Sequence, residues 1–278
     1  SDLSSRTISE MAERAVAMAR EAPENPYAGL ADAGQVATDW DAAALELFDP
    51  APAPAPEALQ QDAAEAEAAA RAVDGITQID AASAGYNAYD IHMAGSNGFS
   101  GGYRRSSRGL SCVAIAGSGT QMERDYDGDS RVFQSDLRAP SEIGRTAAER
   151  TLLRRDPRKP PTGTYPVLFD ERIAASLIRH LLGAVNGSAI TRGASFLRGS
   201  MDQQVLPEGL SLIEDPHRPR LGSSRPFDAE FLPTAKRTII ENGYLRSWTL
   251  DLGTARQLGL ASTANAGRGV SSGPSPSS

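Results

Sequence analysis

Cysteine is almost missing from this 278-residue chain, with Cys112 standing alone. No intrachain disulfide can form, which excludes a disulfide-stapled secreted scaffold. Cys112 sits in the apolar run GLSCVAIAG, where nothing nearby would lower its pKa, and is expected to be a buried, inert thiol. Histidine is scarce too: His92, His180 and His217 lie in unrelated contexts, and H-E-x-x-H occurs nowhere. No apolar run approaches the roughly eighteen residues of a membrane span, so no membrane association is expected. No signal-type segment opens the chain, and the expected location is cytoplasmic. Positive charge is in deficit, with 28 Lys and Arg against 35 Asp and Glu and a net charge of −7. The basic pairs Arg104-Arg105, Arg154-Arg155 and Arg158-Lys159 are short and read as solvated faces or turns. Direct nucleic-acid binding is therefore not expected.

What is present is enough apolar content, 40%, for a real core and two domains. Residues 7–22 place Ile8, Met11, Ala15, Met18 and Ala19 on one helical stripe, which Pro23 and Pro26 end. DPAPAPAP (49–56) alternates proline with alanine and reads as an extended linker. Residues 57–73 form a helix on propensity alone. From 86 to 117, Tyr89, Ile91 and Met93 alternate with Asp90 and His92, and GSNGFSGG supplies a glycine-rich turn. An antiparallel meander follows through residue 133, with YDGDS (126–130) read as a turn and not a calcium loop. A helix near 141–154 precedes RDPRKPPTG (155–163), a domain boundary. This segment and 49–56 are both expected to be open to proteases. TYPVLFD predicts a short buried strand ending at Asp170, the N-cap of the next helix. Asn242-Gly243 between two β-like runs predicts a hairpin. The end, GVSSGPSPSS, reads as loop or disorder.

The fold class is therefore α+β: an antiparallel β-meander domain with flanking helices, followed by the start of a β-rich C-terminal domain. The expected divisions are a helical end of an N-terminal domain at 1–48, the linker at 49–56, a central domain at 57–157 and the C-terminal part at 158–278.

The segment LIRHLLGAVNGSA (177–189) carries the sharpest question. On an ideal helix, His180 falls in the same stripe as Ile173, Leu177, Leu181 and Ala184. A zinc helix needs at least two ligands and a carboxylate base here, and neither Ser176 nor Ala184 supplies them. His180 is therefore expected to be a packed core histidine. Ser195 lacks a histidine base and a G-x-S-x-G elbow, so it does not read as a nucleophile. Asp228 and Glu230, in SRPFDAE, fall on one side of an extended segment. Such a pair can do acid–base chemistry, but reads here as a solvated strand edge.

Taken in order, ENPYAGLAD, SNGFSGGY, PTGTYPVLFD, LIRHLLGAVNGSAITRGASFL, IEDP, SSRPFDAE, IIENGYLRSWTLDLGTARQLG and STANAGR resemble the PmbA (TldE) branch of the TldD/PmbA family. Its members are described as modulators of DNA gyrase and as subunits of a cytoplasmic metallopeptidase. The resemblance spans nearly the whole chain and implies that family members extend beyond both of its ends. In the TldD branch the equivalent helix carries H-E-x-x-x-H, whose histidines bind zinc. Setting its glycine on Gly183 places the two histidines at Arg179 and Ala184 and the glutamate at His180. Phe231 stands where similar chains usually have glycine.

The resemblance thus implies a subunit without its own zinc or other cofactor, with zinc in a TldD-type partner. It implies a dimer, with that partner or with itself, that binds extended or unfolded peptides for proteolysis or leader-peptide removal. Arg179, His180, Arg192, Ser195 and Asp228 are the candidate peptide-groove residues. Two alternatives stay open: a non-proteolytic regulator of gyrase, and a peptidase in its own right with ligands supplied from outside this chain.

Overall fold

The computed structural model describes residues 4–269 and 272–277. Helix α1 (Ser5–Glu21) starts at Ser4, whose Oγ accepts the Thr7 N–H at 3.3 Å. None of its residues is buried, so the predicted apolar stripe is exposed along Ile8, Met11 and Met18. Residues 22–48 contain no helix or strand but bury Ala31, Ala37, Leu45 and Leu47. The alternating prolines that follow are extended, as polyproline geometry requires. They are also anchored. The Asp49 carboxylate accepts the amides of Ala51 and Gln134, both at 2.9 Å, and its own N–H donates to Ser106 Oγ at 2.8 Å. Burial opposes the charge on Asp49, but these amides outweigh it and hold the carboxyl below its usual range.

Helix α2 (Pro56–Arg71) begins with proline at its first position, where no intrahelical donor is needed. The meander follows: β1 (Ile76–Ala94), β2 (Ser100–Ala116) and β3 (Glu123–Arg131), paired antiparallel in the order β1-β2-β3. Helix α3 (Pro140–Leu153) and α2 cover one face, burying Ala66, Ala70, Leu110, Cys112, Ala114, Ile143, Ala147 and Ala148. Small residues bring the layers close: a Cβ on Gly144 would collide with the Ala66 carbonyl. Burial raises the Cys112 thiol pKa, which suits an inert core residue.

YDGDS is no turn; it lies inside β3, with Gly128 opposite Ser111 and Asp127 opposite Cys112. The acids survive in a strand because arginines neutralise them. Asp127 meets Arg150 at 2.5 Å and Arg138 at 2.8 Å, and Asp125 meets Arg172 at 2.9 Å.

The C-terminal part holds α4 (Glu171–Ala184), α5 (Gly187–Thr191), β4 (Leu212–Glu214), β5 (Arg237–Glu241), β6 (Tyr244–Leu245), α6 (Leu252–Leu258), β7 (Ala266–Gly269) and β8 (Ser272–Pro276). Strands β4-β5-β6 form a sheet whose tight turn uses Asn242 and Gly243, both at positive φ, as the Asn-Gly pair predicts. Val185, Ile190, Ile239, Ile240, Leu245, Trp248 and Leu250 are the buried core here. A polar hub braces it. Glu214 accepts from Arg237 Nε at 2.6 Å and from Asn265 Nδ2 at 2.8 Å, while Arg237 also donates to Trp248 O and Thr249 Oγ1.

The two cores are joined by the tip of the β1–β2 hairpin. Phe99 stacks on Phe231 at 4.7 Å and meets Phe227 edge-on at 5.0 Å, and Trp40 packs against both Phe99 and Phe227. Gly101 leaves room for the Trp40 ring, which a Cβ would strike. Asn97 Nδ2 donates to Ala31 O at 3.0 Å.

Two further expectations fail. TYPVLFD is not a buried strand: residues 164–170 are irregular and exposed, with Leu168 at 98%. The segment has no pairing strand, and Pro160, Pro161 and Pro166 remove amide donors. The expected terminal loop instead includes the β7–β8 hairpin, with Ala266 opposite Pro276, while residues 270, 271 and 278 of that stretch lie outside the described residues.

Limited proteolysis should cut within 154–170, where every residue is exposed, before any cut at 49–56. Early fragments beginning near 50 would contradict the anchoring through Asp49. Phe231 adopts φ +73, a conformation easy for glycine and strained for phenylalanine. Phe231→Ala keeps the strain and loses the stack, and should destabilise the protein by about 3–5 kcal/mol. Phe231→Gly should lose about 1 kcal/mol less, because it relieves the backbone. Chemical denaturation of both variants checks the order.

Candidate functional site

Helix α4 is held at its start. Asp170 Oδ1 accepts the Arg172 N–H at 3.0 Å, as an N-cap should, and the Arg172 guanidinium bonds Asp125 across to β3 at 2.9 Å. Burial works to raise the Asp125 pKa, yet the Arg172 bond prevails and keeps it below the usual range. Beyond that anchor the helix is poorly covered, with Ile173, Leu177 and Ile178 all at least 41% exposed.

His180 is accordingly not a packed core histidine. It is exposed, and its ring has no hydrogen-bond partner among the described residues. The apolar stripe exists as the periodicity predicts, but among the described residues nothing buries it along this stretch. Arg179 is exposed beside it, and so is Arg192 at the end of α5. Ser195 plays a structural part. Its Oγ donates to Ala184 O at 2.5 Å and accepts from Leu197 N–H at 3.0 Å, closing the chain against the end of α4.

The positions that resemblance equates with zinc ligands do not suit the metal. Arg179 offers donors only, Ala184 offers no ligand and is buried, and His180 stands alone. Among the described residues, no group of three or more His, Cys, Asp and Glu is placed to hold a metal ion. No helix among them is long and apolar enough to cross a membrane.

Asp228 lies in a different setting. It is 1% exposed, not on a solvated edge, and its carboxylate takes the amides of Glu230 and Leu232 on Oδ1 and of Ala266 on Oδ2. Burial raises its pKa, and these three amides only partly offset that. None of its hydrogen bonds reaches α4. Glu230, the other half of the pair, is half-buried, and its Oε2 accepts the Leu252 N–H at the start of α6 at 2.7 Å. Burial pushes the Glu230 pKa up to about 7; the Leu252 amide opposes the shift, and the charges of Asp251 and Asp228 add to it.

Glu230 opens on a cavity of about 450 Å³ between residues 25–31, the 229–231 turn, the start of α6 and the β7–β8 hairpin. Arg256 fixes one wall by donating to the carbonyls of Tyr27, Gly29 and Leu30. Residue-by-residue reading misses this site, because its walls come from segments about two hundred residues apart. The signal present in the sequence is that ENPYAGLAD, SSRPFDAE, TLDLG and STANAGR all contribute to it.

A carboxyl whose folded pKa is raised contributes stability below its unfolded value and loses it as pH rises through the folded one. Stability should therefore fall between pH 4.5 and about 7 through Glu230. Glu230→Gln should remove that slope and make the protein about 1–2 kcal/mol more stable at pH 8, allowing for solvent screening. Thermal melts across this pH range measure it.

The comparisons with known proteins agree with this architecture. The PmbA/TldA metallopeptidase central domain matches residues 49–155, and the C-terminal domain of the same proteins matches residues 162–278. Metalloprotease PmbA of Escherichia coli O157:H7 is 38% identical over 96% of this chain, and the Haemophilus influenzae PmbA homologue is 33% identical over the same share. The chain spans 59% of the length of each of these relatives. A Bacteroides thetaiotaomicron crystal structure, described as a candidate modulator of DNA gyrase, superposes over 94% of this chain and 60% of its own with a TM-score of 0.87 and 25% identity. TldE of Thermococcus kodakarensis shares the fold, with a TM-score of 0.76 over 98% of this chain and 61% of its own at 20% identity. The chain belongs to the PmbA/TldD metallopeptidase family.

Proposed function

We propose that this chain is a PmbA/TldE-type, peptide-binding subunit without a zinc site of its own, acting in the cytoplasm. It pairs with a zinc-bearing TldD-type chain, or with a second copy of itself, in an assembly that cleaves unfolded peptides or removes leader peptides. The observation that carries this reading is the donor set on α4: guanidinium, lone imidazole and methyl at positions 179, 180 and 184. One imidazole cannot hold a catalytic zinc, which takes three protein ligands.

Pairing is supported by the exposed apolar run along Tyr165, Val167, Leu168, Phe169, Ile173 and Leu177, a surface that water alone covers poorly. Peptide binding is supported by the exposed cations Arg179 and Arg192, which suit carboxylates and carbonyls. In this reading they form the groove with His180, Ser195 ties the chain to the end of α4, and Asp228 contributes by bracing the backbone at Glu230, Leu232 and Ala266. Strand addition is the natural mode, since main-chain bonds tolerate varied side chains. A non-proteolytic role at gyrase draws support from the description of the Bacteroides structure, but the net charge of −7 disfavours direct contact with DNA.

Elemental analysis of purified full-length protein should find well below one zinc per chain. Cleavage of unfolded peptides should require an added TldD-type subunit and vanish with a chelator. Stoichiometric zinc with cleavage by the unpaired chain would sink the proposal. The triple change Arg179→His, His180→Glu and Ala184→His should raise zinc affinity, which metal titration reads without any need for activity.

A further inference from the structure

The cavity beside Glu230 presents acidic and basic groups that the fold leaves unused. Glu230 spends Oε2 on the Leu252 amide, and its Oε1 has no partner among the described residues. Asp251 is 5% exposed and spends Oδ1 on the amide and hydroxyl of Thr254, leaving Oδ2 unpartnered in the same sense. Both residues line the cavity, and they are close: Glu230 bonds the residue that follows Asp251, and the Asp251 charge pushes the Glu230 pKa up. Two residues with one unbonded carboxylate oxygen each therefore line one space, and their charges repel. Arg268 lines the same cavity, exposed and without a hydrogen bond or ion pair among the described residues.

The charges decide what could fit. An anion would meet two carboxylates. A divalent metal would find only two free side-chain oxygens, since Asp228 has given both of its own to backbone amides. A neutral ligand would leave the repulsion in place. An ammonium group relieves it with three donors for two acceptors, and Arg268 remains for a carboxylate. At about 450 Å³ the space lies within the roughly 300–1,000 Å³ range of small-molecule sites.

We propose that this cavity binds a short zwitterionic peptide, its α-ammonium between Glu230 Oε1 and Asp251 Oδ2 and its carboxylate on Arg268. The site recognises free termini, as on the fragments that peptide cleavage yields, and it rests on the reading of this chain as a peptide-handling subunit. The charged groups acting on Glu230 are Asp228 on its own turn and Asp251 and Arg256 from the α6 segment, while Arg268 from β7 lines the same cavity. Arg256 is committed to three carbonyls, so ionisation of Glu230 is what the ammonium would stabilise. Affinity should rise as pH climbs through about 7.

Calorimetric titration of the full-length protein tests this with tri-alanine, N-acetyl-tri-alanine and tri-alanine amide. Tri-alanine should bind; acetylation should weaken it at least tenfold, and Glu230→Gln should cause a similar loss together with the pH dependence. Gln keeps an acceptor for the Leu252 amide, so the variant should fold, which a thermal melt verifies. Arg268→Ala should abolish the preference for the acid over the amide. Equal binding of free and acetylated peptide, no binding of tri-alanine, or its displacement by calcium or zinc chloride would each overturn the proposal. Cleavage of long unfolded peptides by the paired complex is a separate readout. If it persists while tri-alanine fails to bind, only the cavity assignment is lost; if the complex cleaves nothing, the functional reading itself falls.

Discussion

The stack of Phe99 on Phe231 is the contact on which the rest of the molecule turns. The β1–β2 hairpin is long because it serves two cores. Its base lies under α2 and α3, and its tip carries Phe99 into the cluster with Trp40, Phe227 and Phe231. That cluster holds the 229–231 turn in place, and the turn presents Glu230 to the cavity. The backbone strain at Phe231 follows from the same arrangement. A glycine there would relieve the strain but leave Phe99 without its stacking partner. Here a buried aromatic contact outweighs a local conformational preference.

Many residues in the family-like motifs are occupied with keeping irregular chain in place. Segments such as 22–48 and 215–236 have no helix or extended strand to absorb their backbone polar groups, so scattered backbone bonds and side chains share the task. Asp228 takes three amides, Arg256 supplies three donors to carbonyls, and Asn97 bridges the hairpin tip to Ala31. Glu214 and Asn265, from IEDP and STANAGR, meet in one hub. This explains why the ordered motifs identify the fold so well and say so little about chemistry. A carboxylate locked by three amides is not available to a substrate. Beside the cavity, Glu230, Asp251 and Arg268 are the residues that keep unspent atoms among the described residues.

The elements with local causes are legible in the sequence. The proline start of α2, the Asp170 cap, the Asn-Gly turn and the meander's alternation each have a physical reason within a few residues. Sequence and structure part where tertiary partners decide the outcome. YDGDS resembles a turn because the arginines that neutralise Asp127 come from α3 and from residue 138 just before it. TYPVLFD resembles a buried strand because its composition is apolar, but a strand needs a neighbour to pair with. Glu230 reads as solvated because nothing in SRPFDAE shows that the start of α6 will close over it.

Helix α4 is held at both ends and left open between them. A helix whose apolar face were buried would be fixed by that burial; this one is fixed at its first turn, by the Asp170 cap and the Arg172–Asp125 bridge to β3. Only its end is packed, where Ala184 and Val185 join the C-terminal core. Between those anchors Ile173 and Leu177 face outward together with Arg179 and His180. The apolar stripe is thus real without being core, which is why periodicity finds the helix and misplaces its histidine. In the proposed assembly the same feature has a use, since a subunit without its own metal must offer a surface to the chain that has one. Holding the helix by its ends sets that surface before any partner arrives, so pairing would not have to supply the entropy of folding it.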